Sequence, residues 1–371
     1  MRKLLYILLA ASFLTSACNK NIQQLSKKNQ PKNVILLIGD GMGLSQLSSS
    51  YYYKKSEPNF SRFKHIGLIR TYSSSHKITD SASSATAYSA GVKTYNGAIG
   101  VGPDTLPVET IVEVLAKRNW STGLVVTSSI THATPASFFA HVKSRSMSEE
   151  IAAQFIDSPV NFLAGGGLKY FNNRSDQVNY LDKLKSKGFI VDTTGLAKSS
   201  SLNLQNKYAF LLAQDAMPTM QKGRADFLPN ATQLAIDFLK QDKDGFFLMA
   251  EGSQIDWGGH ANDGQYVITE VLDFDLAIGK ALDFAKADGN TLVLVTADHE
   301  TGGFTLASKT IKVPFKGDIS DYDQFDESFS TGGHSATMVP IFAYGPGAEN
   351  FTGVIENTAV FHKILKLLGV E

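Results

Sequence analysis

The sequence predicts an α/β fold with a central, largely parallel (mixed) sheet and helices on both faces. Three observations carry that reading. Short apolar runs alternate with longer runs of helical period. The short runs are rich in β-branched and aromatic residues and almost free of charge, as strands covered on both faces are. Several of them end in a polar cluster, and open α/β sheets bind ligands beyond the carboxyl ends of their strands.

The elements follow in order. Strands are expected at 33–38 (NVILLI), 122–128 (TGLVVTS), 245–251 (GFFLMAE), 291–296 (TLVLVT) and 339–345 (VPIFAYG). A helix is expected over 108–119, VETIVEVLAKRN. A second is expected over 266–288, where Val267, Val271, Phe274, Ile278, Leu282 and Ala285 step by three or four. Gly289 supplies its C-terminal stop. No repeat, low-complexity tract or linker interrupts the pattern, so 33–371 reads as one domain.

The first 32 residues read differently. Arg2 and Lys3 precede an apolar run over 4–14 and then TSAC, the layout of a secretory signal. The run is too short to span a bilayer comfortably. Cys18 is the chain's only cysteine and closes the stretch LTSAC. Residues 1–18 are read as a lipoprotein signal peptide with lipobox Cys18 as the lipidation site, although Thr15 stands where an aliphatic residue is commoner. Residues 19–32 are a polar tether. The expected location is therefore outside the cytoplasm, periplasmic or cell-surface, anchored to a bacterial membrane by lipid alone. Lys plus Arg and Asp plus Glu both number 35, so the zero net charge argues against a nucleic-acid partner. Only seven of the basic residues are arginine, which makes an arginine inside a motif informative.

The candidate site residues come from the strand ends. They are Asp40, Thr134, Glu251, Asp256, His260, Asp298, His299 and His334. Carboxylate and imidazole donors without thiolate suit Zn²⁺, and positions with oxygen donors only suit Mg²⁺. Asp256 and His260 are four apart, on one helical face or on one tight loop. His334 lies in GGHS, among neighbours small enough to let it reach a crowded site. The stretch KITDSASSATAYSAG, 77–91, is dense in hydroxyls but lacks an obvious histidine base.

In GDGMG, TDSASSATA, GVKTYNG, THATPASFFAHVKSR, AGGGLKYF, EGSQIDWGGH, NTLVLVTADHETGGF and STGGHSA the sequence resembles the bacterial alkaline phosphatases. The stretches stand in the family's order from Asn33 to about Lys366, and the likeness is closest to the short, cold-active marine type. The resemblance implies two Zn²⁺ and one Mg²⁺ per subunit. Asp256, His260 and His334 would hold the first zinc, and Asp40, Asp298 and His299 the second. Asp40 would bridge to magnesium, completed by Thr134 and Glu251. It implies Ser81 as the nucleophile, with Ser83, Ser84 and Ser89 as small packing residues. A zinc ion replaces the missing base. Ser81 is also expected at a helix N-terminus, where a phosphoryl anion is favoured. Arg145 would grip the phosphate. The implied activity is hydrolysis of small phosphate monoesters at alkaline pH through a phosphoserine, by a homodimer.

His132 and Trp257 flank the third metal and the phosphate in this reading, where some relatives carry Asp and Lys. An imidazole there suits Zn²⁺ or Co²⁺ as well as Mg²⁺. Within the superfamily, a sulfatase would need C/S-x-P-x-R, which is absent. A phosphodiesterase, or a non-catalytic metal- or phosphate-binding lipoprotein, is the alternative.

Overall fold

The computed structural model describes residues 30–370. The expected signal peptide, Cys18 and residues 19–29 of the expected tether lie outside the described residues. Fourteen strands occur among those described. They are β1 (Asn33–Gly39), β2 (His65–Arg70), β3 (Ser121–Ser129), β4 (Phe162–Gly166), β5 (Phe189–Asp192), β6 (Lys207–Ala213) and β7 (Phe246–Gly252), then β8 (Thr291–Thr296), β9 (Glu300–Thr301), β10 (Thr305–Val313), β11 (Gly317–Ser328), β12 (His334–Ser335), β13 (Val339–Tyr344) and β14 (Gly353–Glu356).

Ten of them form one sheet in the order β14-β2-β13-β8-β1-β7-β3-β4-β6-β5. The middle strands β8, β1, β7 and β3 are parallel to their neighbours in that group, and β13 runs antiparallel to β8 and β2, which makes the sheet mixed. Every residue of β1, β3, β7 and β8 is buried. Such strands need an apolar residue at nearly every position, which is why they stand out as continuous runs.

Neighbouring side chains of a strand point to opposite faces, and β7 shows both faces covered. Phe246 meets Phe284 of the Gly264–Asp288 helix, ring centroids 5.8 Å apart. Phe247 meets Phe138, beyond the Ala133–Ala136 helix, at 6.0 Å on the other face. The Gly264–Asp288 helix starts at an Asp263 cap and ends with Gly289 at φ 74°. The helix expected over 108–119 is shorter, Ile111–Ala116. Thr110 and Glu113 close a reciprocal capping box that fixes its start. Asn119 at φ 63° ends the turn after it.

Strands β2, β4, β5, β6 and β14 were not anticipated. β2 and β14 lie at one edge and leave several residues half-exposed or exposed, so their apolar pattern is diluted. β4 reads FLAGG, and its two glycines carry no strand signal. β10 and β11 form a separate, exposed two-stranded ribbon. Among the described residues no helix is long and apolar enough to cross a membrane.

Parallel register aligns the strand ends. Ile38 pairs with both Glu251 and Thr296, and Glu251 also pairs with Val126. The segments that follow β1, β3, β7 and β8 therefore leave the sheet along one edge, side by side.

Candidate active site

The segment after β1 turns at Gly41, whose φ of 73° favours glycine. A Cβ there would sit 2.7 Å from the Asp256 backbone. The turn thus brings Asp40 against the segment that follows β7. Asp40 is fully buried, and neither of its carboxylate oxygens has a hydrogen-bond partner.

Ser81 begins the Ser81–Ala90 helix. The Asp80 side chain caps it, accepting from Ser83 N at 3.0 Å, and also accepts from Gly97 N at 3.0 Å. Burial pushes the Asp80 carboxyl up, but donors from Ser83, Arg145 and Gly97 outweigh it and leave the group below its usual range. Ser81 Oγ lies 3.2 Å from His299 Nε2. Ser84 does more than pack: its hydroxyl donates to the Asp298 carbonyl at 2.8 Å.

Asp256 and His260 lie four apart on the short Ile255–His260 helix, with Oδ1 and Nε2 3.4 Å apart. His334 comes from β12, and its Nε2 is 3.6 Å from Asp256 Oδ1 and 3.2 Å from His260 Nε2. His260 Nδ1 faces the Gly332 carbonyl at 2.8 Å, and His334 Nδ1 faces the Thr79 carbonyl at 2.9 Å. A carbonyl only accepts, so each Nδ1 carries the hydrogen and each Nε2 presents a lone pair. Two bare nitrogens and a carboxylate oxygen thus converge, an arrangement that calls for a cation between them.

A second group follows β8. His299 Nε2 is 3.2 Å from Asp298 Oδ2 and 3.5 Å from Asp40 Oδ1. A third joins Asp40, Glu251 and His132, each offering one donor atom within 4.8 Å of the others. Glu251 accepts from Ser253 Oγ at 2.5 Å, and Thr134 also faces it, while its Oε1 has no partner.

The electrostatics agree. Burial raises Asp40 well above the carboxylate range, and Asp298, Asp256 and Glu251 raise it further. Burial likewise raises Asp298, and it lifts Glu251 to about 8. Four carboxylates out of water and facing one another are unfavourable unless cations neutralise them. The donor set is oxygen and imidazole, so the residues fit hard or borderline divalent ions.

Arg145 closes the site. Its Nη1 donates to Asp80 Oδ2 at 3.1 Å and its Nη2 to His132 Nε2 at 3.2 Å, which fixes the guanidinium plane. Burial, then Arg145, depresses His132 to about 4, so this imidazole is neutral at working pH. Trp257 meets the His132 ring edge-on, centroids 5.9 Å apart at 81°. The structure brings together every candidate of the sequence reading except Cys18, which lies outside the described residues. The sequence reading missed Asp80, which orients both Ser81 and Arg145. Its position directly before Ser81 was the available signal.

A serine-bearing helix N-terminus beside buried carboxylates and imidazoles, with an arginine fork across it, is the kind of site a metal-dependent hydrolase of anionic esters needs. The family model for alkaline phosphatase matches residues 31–327 and 316–370, and the chain belongs to that family. Alkaline phosphatase 3 of Bacillus subtilis is 36% identical, with 93% of this chain and 91% of that protein covered. The alkaline phosphatase of the Antarctic bacterium TAB5 superposes with a TM-score of 0.89 at 58% identity, covering 92% of this chain and 98% of the other. A histidine-to-aspartate variant of the TAB5 enzyme has been solved with Mg in its M3 site. A cold-active alkaline phosphatase from Shewanella gives a TM-score of 0.81 at 29% identity, covering 91% and 99% of the two chains. The chain is an enzyme that hydrolyses phosphate monoesters with the help of metal ions. The diesterase and the binder without turnover are not favoured.

Proposed function

We propose that the hydrolysis runs through a phosphoserine on Ser81. The observation that carries this is the place of Ser81 Oγ, 3.2 Å from His299 Nε2 at the capped start of a helix. The Ser81 oxygen attacks phosphorus and its proton passes to solvent, while the bond from phosphorus to the ester oxygen breaks and the leaving oxygen takes a proton from water. Water then attacks the phosphoserine and gives up a proton, the bond to Ser81 breaks, the Ser81 oxygen regains a proton, and phosphate leaves. Backbone N–H groups at the helix start favour the phosphoryl anion throughout. Arg145 holds two phosphoryl oxygens with the N–H groups that Asp80 and His132 leave free. Asp256, His260 and His334 would hold one Zn²⁺, Asp40, Asp298 and His299 a second, and Asp40, Thr134 and Glu251 an Mg²⁺. Bound there, the ions would supply charge neutralisation and acidify the serine and water oxygens. His132 offers its imidazole to the third group, and with it that position would also take Zn²⁺ or Co²⁺.

The test is hydrolysis of p-nitrophenyl phosphate against bis-p-nitrophenyl phosphate, with and without chelator. Turnover of the monoester that chelator removes is expected. Preference for the diester, or turnover indifferent to chelator, overturns the reading. Arg145→Ala should weaken substrate and product phosphate together, by about 1.5–3 kcal/mol. Unchanged inhibition by phosphate would remove Arg145 from the site.

The same reading takes the protein as an exported homodimer tethered through lipidated Cys18. Cys18→Ala should move it from the membrane fraction to the soluble one, because a single lipidated residue is the proposed anchor. Persistent membrane association would refute the anchor.

A further inference from the structure

Thr301 takes no part in the ligand groups above, yet it touches two of them. It is fully buried in β9, which pairs antiparallel with β12, His334 opposite Thr301 and Ser335 opposite Glu300. Its main chain is held from two sides. Thr301 N donates to Gly41 O at 3.2 Å, and Gln46 Nε2 donates to Thr301 O at 2.8 Å. Glu300 tightens the pair by accepting from Gln46 Nε2 at 2.7 Å and from the Ser335 hydroxyl. Glycines clear the space for the Thr301 side chain. A Cβ at Gly41 would lie 2.8 Å from Thr301 Oγ1, and one at Gly259 would lie 2.9 Å from its methyl.

The hydroxyl oxygen lies 2.5 Å from Asp256 Oδ1 and 3.1 Å from His299 Nδ1. A hydroxyl has one hydrogen, and a carboxylate oxygen can only accept it. The hydrogen therefore goes to Asp256, and Thr301 Oγ1 accepts from His299 Nδ1–H. That leaves His299 Nε2 with its lone pair toward Ser81, Asp40 and Asp298.

We propose that Thr301 is a positioning residue that couples the two metal groups, so that filling one favours filling the other. A cation on Asp256 fixes that carboxylate. The fixed carboxylate holds the Thr301 hydrogen, and the held hydroxyl selects the His299 tautomer that can bind metal. The inference rests on the two-zinc reading. Groups of this kind, which orient ligands without touching the metal, typically change metal affinity 10–100-fold when removed.

The experiment is zinc uptake by the full chain from a chelator-buffered series, followed by bound zinc per subunit, with Co²⁺ absorption as a second readout. Wild type is expected to take up its two zincs together, with a Hill slope above one. Thr301→Val keeps the shape and removes the hydroxyl, and both zincs should weaken by about 10–100-fold with the slope falling to one. Thr301→Ser should behave as wild type. Zinc uptake by the valine variant that matches wild type, or a loss confined to one zinc, overturns the coupling and leaves the metal reading intact. If wild type itself takes up no zinc, the metal reading fails and the coupling with it. A check independent of any variant is the His299 tautomer in metal-free wild type, read from ¹H–¹⁵N correlations. A hydrogen on Nδ1 is expected in part of the metal-free protein, its share should rise as the first zinc binds, and a share that the first zinc leaves unchanged overturns the coupling.

Discussion

Ser81→Ala abolishes turnover of p-nitrophenyl phosphate while phosphate still inhibits binding of a substrate analogue to within a few-fold. The expected loss is at least about 10³-fold, the scale on which removing a nucleophile leaves only the residual effect of positioning and charge. Phosphate binding should survive because the groups proposed to grip it stay in place. Arg145 remains fastened to Asp80 and His132, and the Asp80 cap still binds Ser83 N, a contact to which the Ser81 hydroxyl contributes nothing. Acid quench with labelled substrate separates the roles. Label should be retained by wild type and absent from the variant, and label on the alanine protein would assign the covalent step to another residue.

Stripping the metals should abolish activity and make stability fall as pH rises. Burial raises Asp40, Asp298 and Glu251, neighbouring carboxylates raise Asp40 further, and Glu251 is lifted to about 8 from 4.5. Between those two values the folded, metal-free chain binds more protons than the unfolded one. Stability therefore falls as pH rises through that window. Cations remove the effect, since the carboxylates then stay ionised in both states. Below about pH 6.5 the depressed His132 and His299 oppose this effect, so the melting midpoint of chelated protein should fall most clearly from about pH 6.5 to about pH 8, while protein reloaded with zinc and magnesium should not show the fall. A flat profile for the stripped protein would show that these carboxylates are hydrated and do not face one another in solution.

The central strands were legible because burial on both faces demands apolar residues at every position. The edge was not. β2 needs only half its residues apolar, and β4 is built on glycines, so neither carries a pattern that one sequence can reveal. Asp40, Glu251, Asp298 and His299 were legible as polar residues immediately after buried runs. Their division into ligand groups, and the choice of Ser81 among its neighbours, came from resemblance, because spacing alone fits many outcomes. His334 was the hardest to place from the residues. It reaches the site through a two-residue pairing with Glu300 and Thr301, and the pairing spans the whole ribbon between them. Thr301 and Asp80 escaped notice for a related reason. Their importance lies in what they touch, and no period in the sequence reports that.

The β10–β11 ribbon leaves the chain just after His299 and returns just before His334. Its root is closed by Thr305 opposite Ser328 and by the Gly302–Gly333 and Ser330–Gly302 hydrogen bonds, while Phe315 at the far turn is fully exposed. Everything that sets the distance between the two histidines is thus settled at the root. Chain added at the tip changes neither the β9–β12 pairing nor the ligand geometry, and lengthening an already open loop costs little entropy. The ribbon is therefore a natural port for insertions, a place where descendants of this fold can gain surface, partners or whole modules while the chemistry a few residues away goes on unaltered.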